Sequence, residues 1–208
     1  MNLGHPIASI ASPLAGRVLE VVSGTTRPLA GREIHKIVGE GSNSGVWKVL
    51  NRLEEQGILL ADRRSHATYF VANRDHLAWP SIEAIVRLRG ELTARLTAEI
   101  DGWSVAPLHA SIFGSTARGD ADVDSDVDLL LVRPEDLAPN AVEDWERQLA
   151  SVRDAVRRWT GNLCQTFVAT PSRLAEHVRA NDPLVRGWLD DEILLAGAPI
   201  AKLIEAAR

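Results

Sequence analysis

Cysteine is nearly missing from this chain: Cys164 is the only one in 208 residues. A single thiol excludes an internal disulfide framework and suits a reducing compartment. Long apolar runs are missing as well, and none approaches the ~20 residues a membrane-spanning helix requires. The first ten residues lack the basic start and extended apolar core of a secretion signal. A cytoplasmic location with no membrane partner is therefore expected. Tyrosine occurs once and phenylalanine three times, against six tryptophans. No histidine and cysteine spacing of the zinc kind is present, His109 having no companion ligands. No serine or cysteine stands in an evident triad context. The chemistry must come from carboxylates, glycines, hydroxyls and cations.

Charge is plentiful but unevenly placed. The net value is -5, yet residues 1–75 hold nine Lys or Arg against seven Asp or Glu, while residues 76–208 hold fourteen against twenty-one. A mildly basic front and an acidic back argue for two modules with different partners. The pattern divides the chain into residues 1–75, a connecting helix over 76–103, and residues 104–208.

The densest chemical signal is GSTARGDADVDSDVDLLLV, residues 114–132. A polar, aspartate-rich turn runs into an apolar strand carrying Asp126 and Asp128. Side chains two apart on a strand share a face, so these carboxylates point together while Val127, Leu129 and Leu131 face the other way. Parallel carboxylates repel, and a hard divalent cation resolves that repulsion; Mg²⁺ takes one or two carboxylates together with substrate phosphates. Gly114 allows close backbone approach, and amides opening the next helix can hold phosphate oxygens. Asp120, Asp122 and Asp124 read as a solvated acidic loop, and Ser125 as a turn-former. Arg118 pairs either with phosphates or with Asp120 or Asp122.

A Gly-Ser pair, ten residues, then Asp-x-Asp resembles the signature of the DNA polymerase β-like nucleotidyltransferases, in particular the minimal nucleotidyltransferases. Gly114, Ser115, Ala117, Arg118, Gly119, Ser125, Asp126, Asp128 and Leu129 carry the match, and the likeness spans roughly residues 104–200. The resemblance implies Mg²⁺ on Asp126 and Asp128, a nucleoside triphosphate as substrate or ligand, and phosphate contacts from Gly114, Ser115 and Arg118. It also implies an acceptor hydroxyl on a partner protein, a small alcohol or an RNA end, as in a toxin-antitoxin component. Active members place a third carboxylate on the third strand. Here Gln165 occupies that position, and no acidic residue lies between Asp154 and Glu176. Asp144 or Glu146 could substitute only through space.

The front module reads as a helix that Ser12 and Pro13 open, on an apolar stripe of Ile10, Leu14, Val18, Leu19 and Val22, a short helix with Ile34 and Ile37 inward, then a third carrying Val46, Val49, Leu50 and Leu53. Gly24, Gly39 and Gly57 stop them in turn. Two strands around a charged turn follow, over residues 58–73. This order resembles winged helix-turn-helix regulators. The resemblance implies double-stranded DNA as partner, with Ser42, Asn43, Ser44, Trp47, Lys48 and Arg52 on or near the DNA face and Arg63, Arg64 and His66 at the wing. Each has a plainer role open to it: Asn43 or Ser44 as a helix cap, Trp47 as packing, Arg63 and Arg64 as a solvated hairpin tip. Winged regulators bind two-fold sites as dimers, so a homodimer is expected.

The connector, Trp79 to Ile100, shows one helical stripe through Ile85, Leu88, Leu92, Leu96 and Ile100, with Ser81 as its cap. Beyond it lie a strand over 104–114, the Asp126–Val132 strand, a helix over 141–160, a strand before Pro171, and further helices around a short apolar stretch. The fold expected is multidomain: an N-terminal all-α winged helix-turn-helix unit, and a C-terminal α/β (α+β) mixed sheet with helices on one side. The function expected is a DNA-binding transcriptional regulator whose second domain binds Mg-nucleotide or a partner protein. The alternative is an active Mg²⁺-dependent nucleotidyltransferase.

Overall fold

The structure, a computed structural model, describes residues 1–206. Two compact units make up the chain: Gly4–Leu88 with Asn2, and the residues from Arg89 onward with Met1 and Leu3. Among the described residues no helix is long and apolar enough to cross a membrane.

The first unit is mostly helical with a small antiparallel sheet. Pro13 occupies the first helical position of α1 (Pro13–Ser23), where a missing N–H leaves nothing unpaired. Val18, Leu19 and Val22 turn inward from it. Ile10, expected on that stripe, is 71% exposed. It follows a 3₁₀ turn (Pro6–Ser9), which buries Ile7 instead. The two-residue strand β1 (Leu29–Ala30) leads into α2 (Gly31–Val38). There Ile34 and Val38, four apart, form the inward stripe, and Ile37, expected inside, is 50% exposed. Gly39, at φ 73°, ends the helix in the left-handed region that glycine tolerates.

Helix α3 (Asn43–Glu55) buries Val46, Leu50 and Leu53. Strands β2 (Leu59–Arg64) and β3 (Ala67–Ala72) make an antiparallel hairpin, and β1 adds to the other edge of β3. That third strand was not expected, because two residues carry no alternation to read. Helix α4 (Trp79–Val86) completes the unit, with Trp79 buried and Ala78, not Ser81, at the N-cap.

The single helix expected from Trp79 to Ile100 is two. Arg87 is non-helical, and α5 (Leu88–Asp101) starts after it. The apolar spacing runs through the break, yet its halves enter different cores. Ile82 and Ile85 pack with the first unit, while Leu92, Leu96 and Ile100 join the core of the second.

In the second unit, β4 (His109–Phe113), β5 (Val127–Val132), β6 (Cys164–Ala169) and β7 (Ile193–Gly197) form one sheet in the order β6-β5-β4-β7. The β5–β6 pair is parallel and the other two are antiparallel. Strand β4 is shorter than expected because the Gln148 side chain takes both backbone groups of Val105: Val105 N–H donates to its Oε1 at 3.1 Å, and its Nε2 donates to the carbonyl at 3.2 Å. The apolar stretch expected only as a chain end is β7.

Helices cover both faces, not one. Helices α5 and α7 (Pro139–Thr160) pack on Val127, Leu129 and Leu131. Helices α8 (Pro171–Arg179), α9 (Pro183–Asp190) and α10 (Ile200–Ala206) pack over Leu130 and Val132. A strand buried on both faces reads as an unbroken apolar run, which is the physical meaning of Leu129–Val132.

Candidate functional site

Residues 114–132 fold so that glycine and aspartate meet. Strand β4 ends at Phe113, and Gly114 (φ 69°) turns the chain into the short helix α6 (Gly114–Arg118). Phe113 is paired with Asp128 across the β4–β5 ladder. A β-carbon on Gly114 would stand 2.8 Å from Asp128 Oδ2. Only glycine both adopts this turn without strain and leaves the carboxylate open. Thr116 Oγ1 donates to the Asp126 carbonyl at 3.4 Å, tying α6 to the start of β5.

Asp128 lies on the face of β5 that carries Leu130 and Val132 deeper in, Asp126 stands just before the strand, and both residues are partly exposed at its mouth. Burial, and then the charge of Asp126, push the Asp128 carboxyl above the usual aspartate range, while the Arg118 guanidinium pulls it back. Gln165 is the register partner of Asp128 on the parallel strand β6. Its Nε2 donates to Asp126 Oδ2 at 3.2 Å.

The donor set fits one hard cation: two neighbouring carboxylates whose repulsion Arg118 and the Gln165 amide relieve only in part, and a glycine leaving the approach clear. It does not fit a second, because the third position presents an amide. Among the described residues no group of three or more His, Cys, Asp or Glu could hold a metal ion. Asp144, weighed as a substitute, is paired with Arg147.

The acidic loop is organised internally. Ser125 Oγ donates to Asp122 Oδ1 at 2.8 Å and accepts from Asp122 N–H at 2.9 Å. Asn162 Nδ2 donates to the Ser125 carbonyl at 2.8 Å. Arg118 donates from Nε to Asp120 Oδ2 at 3.2 Å and from Nη1 to Asp191 Oδ2 at 2.6 Å. Asp191 and Asn162 were missed by sequence reasoning; neither stands in a motif. Cys164 pairs with Val127 in the β5–β6 register, and burial pushes its thiol up to about 12.

In the first unit, Ser42 caps α3, its Oγ accepting from Gly45 N–H at 3.1 Å. The cap expected at Asn43 or Ser44 is one residue earlier or more, and both of those side chains are exposed. Trp47 packs edge-on against Phe70 at 5.7 Å and lies over Gly31. Ser44, Lys48 and Arg52 fall four apart on the exposed side of α3, and neither Lys48 nor Arg52 has an ion pair among the described residues. The hairpin arginines are engaged. Arg63 grips both oxygens of Glu54 at 2.6 Å, and Arg64 donates to Asp62 at 2.8 Å while stacking over Tyr69. A cleft of about 310 Å³ opens between Arg32, Asn43, Trp47, His66 and Thr68.

Residues 103–177 match the Nucleotidyltransferase domain family. No curated protein matches the chain. The C-terminal region thus contains a nucleotidyltransferase-like domain.

Proposed function

We propose that the second unit binds a nucleoside triphosphate with Mg²⁺ and transfers the nucleoside monophosphate to an acceptor hydroxyl. The observation that carries the reading is the pair Asp126 and Asp128, held at the mouth of β5 opposite the bare Gly114, inside the segment that matches the family. Mg²⁺ held there would supply the positive charge that a triphosphate needs to approach carboxylates. In the transfer, a bond forms between the acceptor oxygen and the α-phosphorus, the bond to pyrophosphate breaks, and the acceptor proton passes to a base. Gln165, an amide, cannot be that base.

Incubating the full chain with Mg²⁺, each of four α-labelled ribonucleoside triphosphates, and cell lysate or small alcohols tests the proposal. Label should move to an acceptor. Labelling that persists in the Asp126→Asn/Asp128→Asn double variant would overturn it.

A second reading concerns the first unit. Its helix order and hairpin, with the exposed stripe Ser44, Lys48 and Arg52, favour a winged helix-turn-helix bound to double-stranded DNA as a homodimer. Lys48 and Arg52 have no carboxylate partner among the described residues to give up before meeting a phosphate. Gel shift on fragments around the chain's own gene, across a salt series, tests this. Equal affinity for random DNA would remove the regulator reading.

A further inference from the structure

Arg118 and Asp191 stand 73 positions apart in the chain, and the sheet brings them together. Ile193 of β7 pairs with Ile112 of β4, and Phe113 pairs with Asp128 of β5. Asp191, two residues before Ile193, therefore reaches the same end of the sheet as Gly114 and the carboxylate pair. Its own N–H and the side chain that follows it are both bonded. Asp191 N–H donates to the Gly187 carbonyl at the end of α9, and the next side chain, Glu192, accepts from Ile200 N–H at 2.7 Å. The Asp191 side chain is only 13% exposed, against 48% for Arg118.

The contact between them is one-sided. Asp191 takes Nη1 of Arg118 at 2.6 Å and Asp120 takes Nε at 3.2 Å, while Nη2 bonds to nothing among the described residues. A guanidinium presents several donors in a rigid fork. Two anchored nitrogens fix its plane and leave the third as a directed donor. Arg118 closes the short helix that Gly114 opens, and Phe113 before it pairs with Asp128, so the guanidinium is carried at the same end of the sheet as the carboxylate pair. A long side chain otherwise spreads over many rotamers, and ordering it on binding weakens affinity.

We infer that Asp191 is a positioning residue, holding the Arg118 fork ready for the phosphate chain of a bound nucleotide. This rests on the nucleotide reading above and adds a residue that lies beyond the stretch matching the family. A rigid support behind a ligand-binding group is what separates a directed contact from a loose surface charge. Asp191 touches no substrate itself and acts through Arg118.

Binding of Mg²⁺ with inorganic tripolyphosphate, and of Mg²⁺ with each ribonucleoside triphosphate, is measured by calorimetry on the full chain. Asp191→Asn should weaken both by about tenfold, a scale typical of losing a supporting group, while affinity for Mg²⁺ alone stays within about twofold of wild type. Asp191→Glu should restore part of the loss. In an Arg118→Ala background, Asp191→Asn should change nothing further, a result that a merely structural role would not give. Circular dichroism verifies folding, and if Asp191→Asn unfolds, Asp191→Glu and Arg118→Ala are compared instead. Unchanged or tighter binding by Asp191→Asn, or an undiminished effect in the Arg118→Ala background, overturns the inference alone. Absence of any binding by the wild type overturns the nucleotide reading together with it.

Discussion

The two units differ in where like charges are left facing each other. In the first, opposite charges are matched locally: Arg63 with Glu54, Arg64 with Asp62, Arg27 with Glu33, Arg74 with Glu83 and Arg17 with Glu20. The second has such pairs too, Arg147 with Asp144 among them, but there the turn and sheet also force two like charges together, and Asp128 is left above its ordinary range by burial and by Asp126. Matched exposed pairs contribute little and need no ligand. Crowded like charges cost stability unless a ligand relieves them. Local structure would be sufficient reason for the first pattern, but not for the second.

Removing the crowded pair gives the largest expected effect. Asp126→Asn with Asp128→Asn should lower transfer by about a hundredfold or more, the scale of deleting transition-state electrostatics. Asp128→Asn alone should also raise the melting temperature at pH 7 without Mg²⁺. The sign follows from linkage. The folded state holds the Asp128 proton more tightly than the unfolded state, so ionisation opposes folding. That penalty is absent below the unfolded carboxyl value and grows as pH rises through the folded one. Thermal melts of both proteins from pH 3 to pH 8 should therefore converge at the acid end, and a constant difference would break the comparison.

Gln165→Asp sharpens it by adding a third anion. The Gln165 amide now donates to Asp126, and a carboxylate would repel it instead. The variant should melt lower without Mg²⁺, bind Mg²⁺ roughly tenfold more tightly, and transfer label faster. Calorimetry and initial rates measure both effects, and unchanged Mg²⁺ affinity would mean that position 165 does not face the cation.

Smaller effects belong to the first unit. Lys48→Ala and Arg52→Ala should each reduce the slope of log affinity against log salt by about one in DNA binding. Arg63→Ala and Arg64→Ala should change it less, since their guanidiniums are already occupied by Glu54 and Asp62. Equal slopes for all four variants would erase the distinction between paired and unpaired cations.

The sequence was most legible where local chemistry and periodicity agree. Pro13 and Gly39 bound their helices as expected, and Gln165 falls opposite Asp128. The hairpin, the β5 strand and the mixed character of the second sheet were readable for the same reason. What escaped depends on tertiary partners. The break at Arg87 is invisible because apolar spacing continues across it while the burial switches cores. Strand β7 is five residues after a helix, too short to show alternation. Helices on the second face follow from β5 being buried on both sides, which the run Leu129–Val132 hinted at without saying what covers it. The Arg118–Asp191 bond joins residues that share no motif.

Cys164 offers a practical use of this architecture. A thiol pushed up to about 12 carries almost no thiolate at neutral pH, and thiolate is the reactive form. Maleimide and iodoacetamide should therefore modify it far more slowly in the folded protein than in the unfolded chain. Because it is the sole cysteine, the native chain should give a low background for site-specific fluorophores. A cysteine introduced at an exposed position, such as Ser44 on α3 or Val123 in the acidic loop, would carry most of the dye.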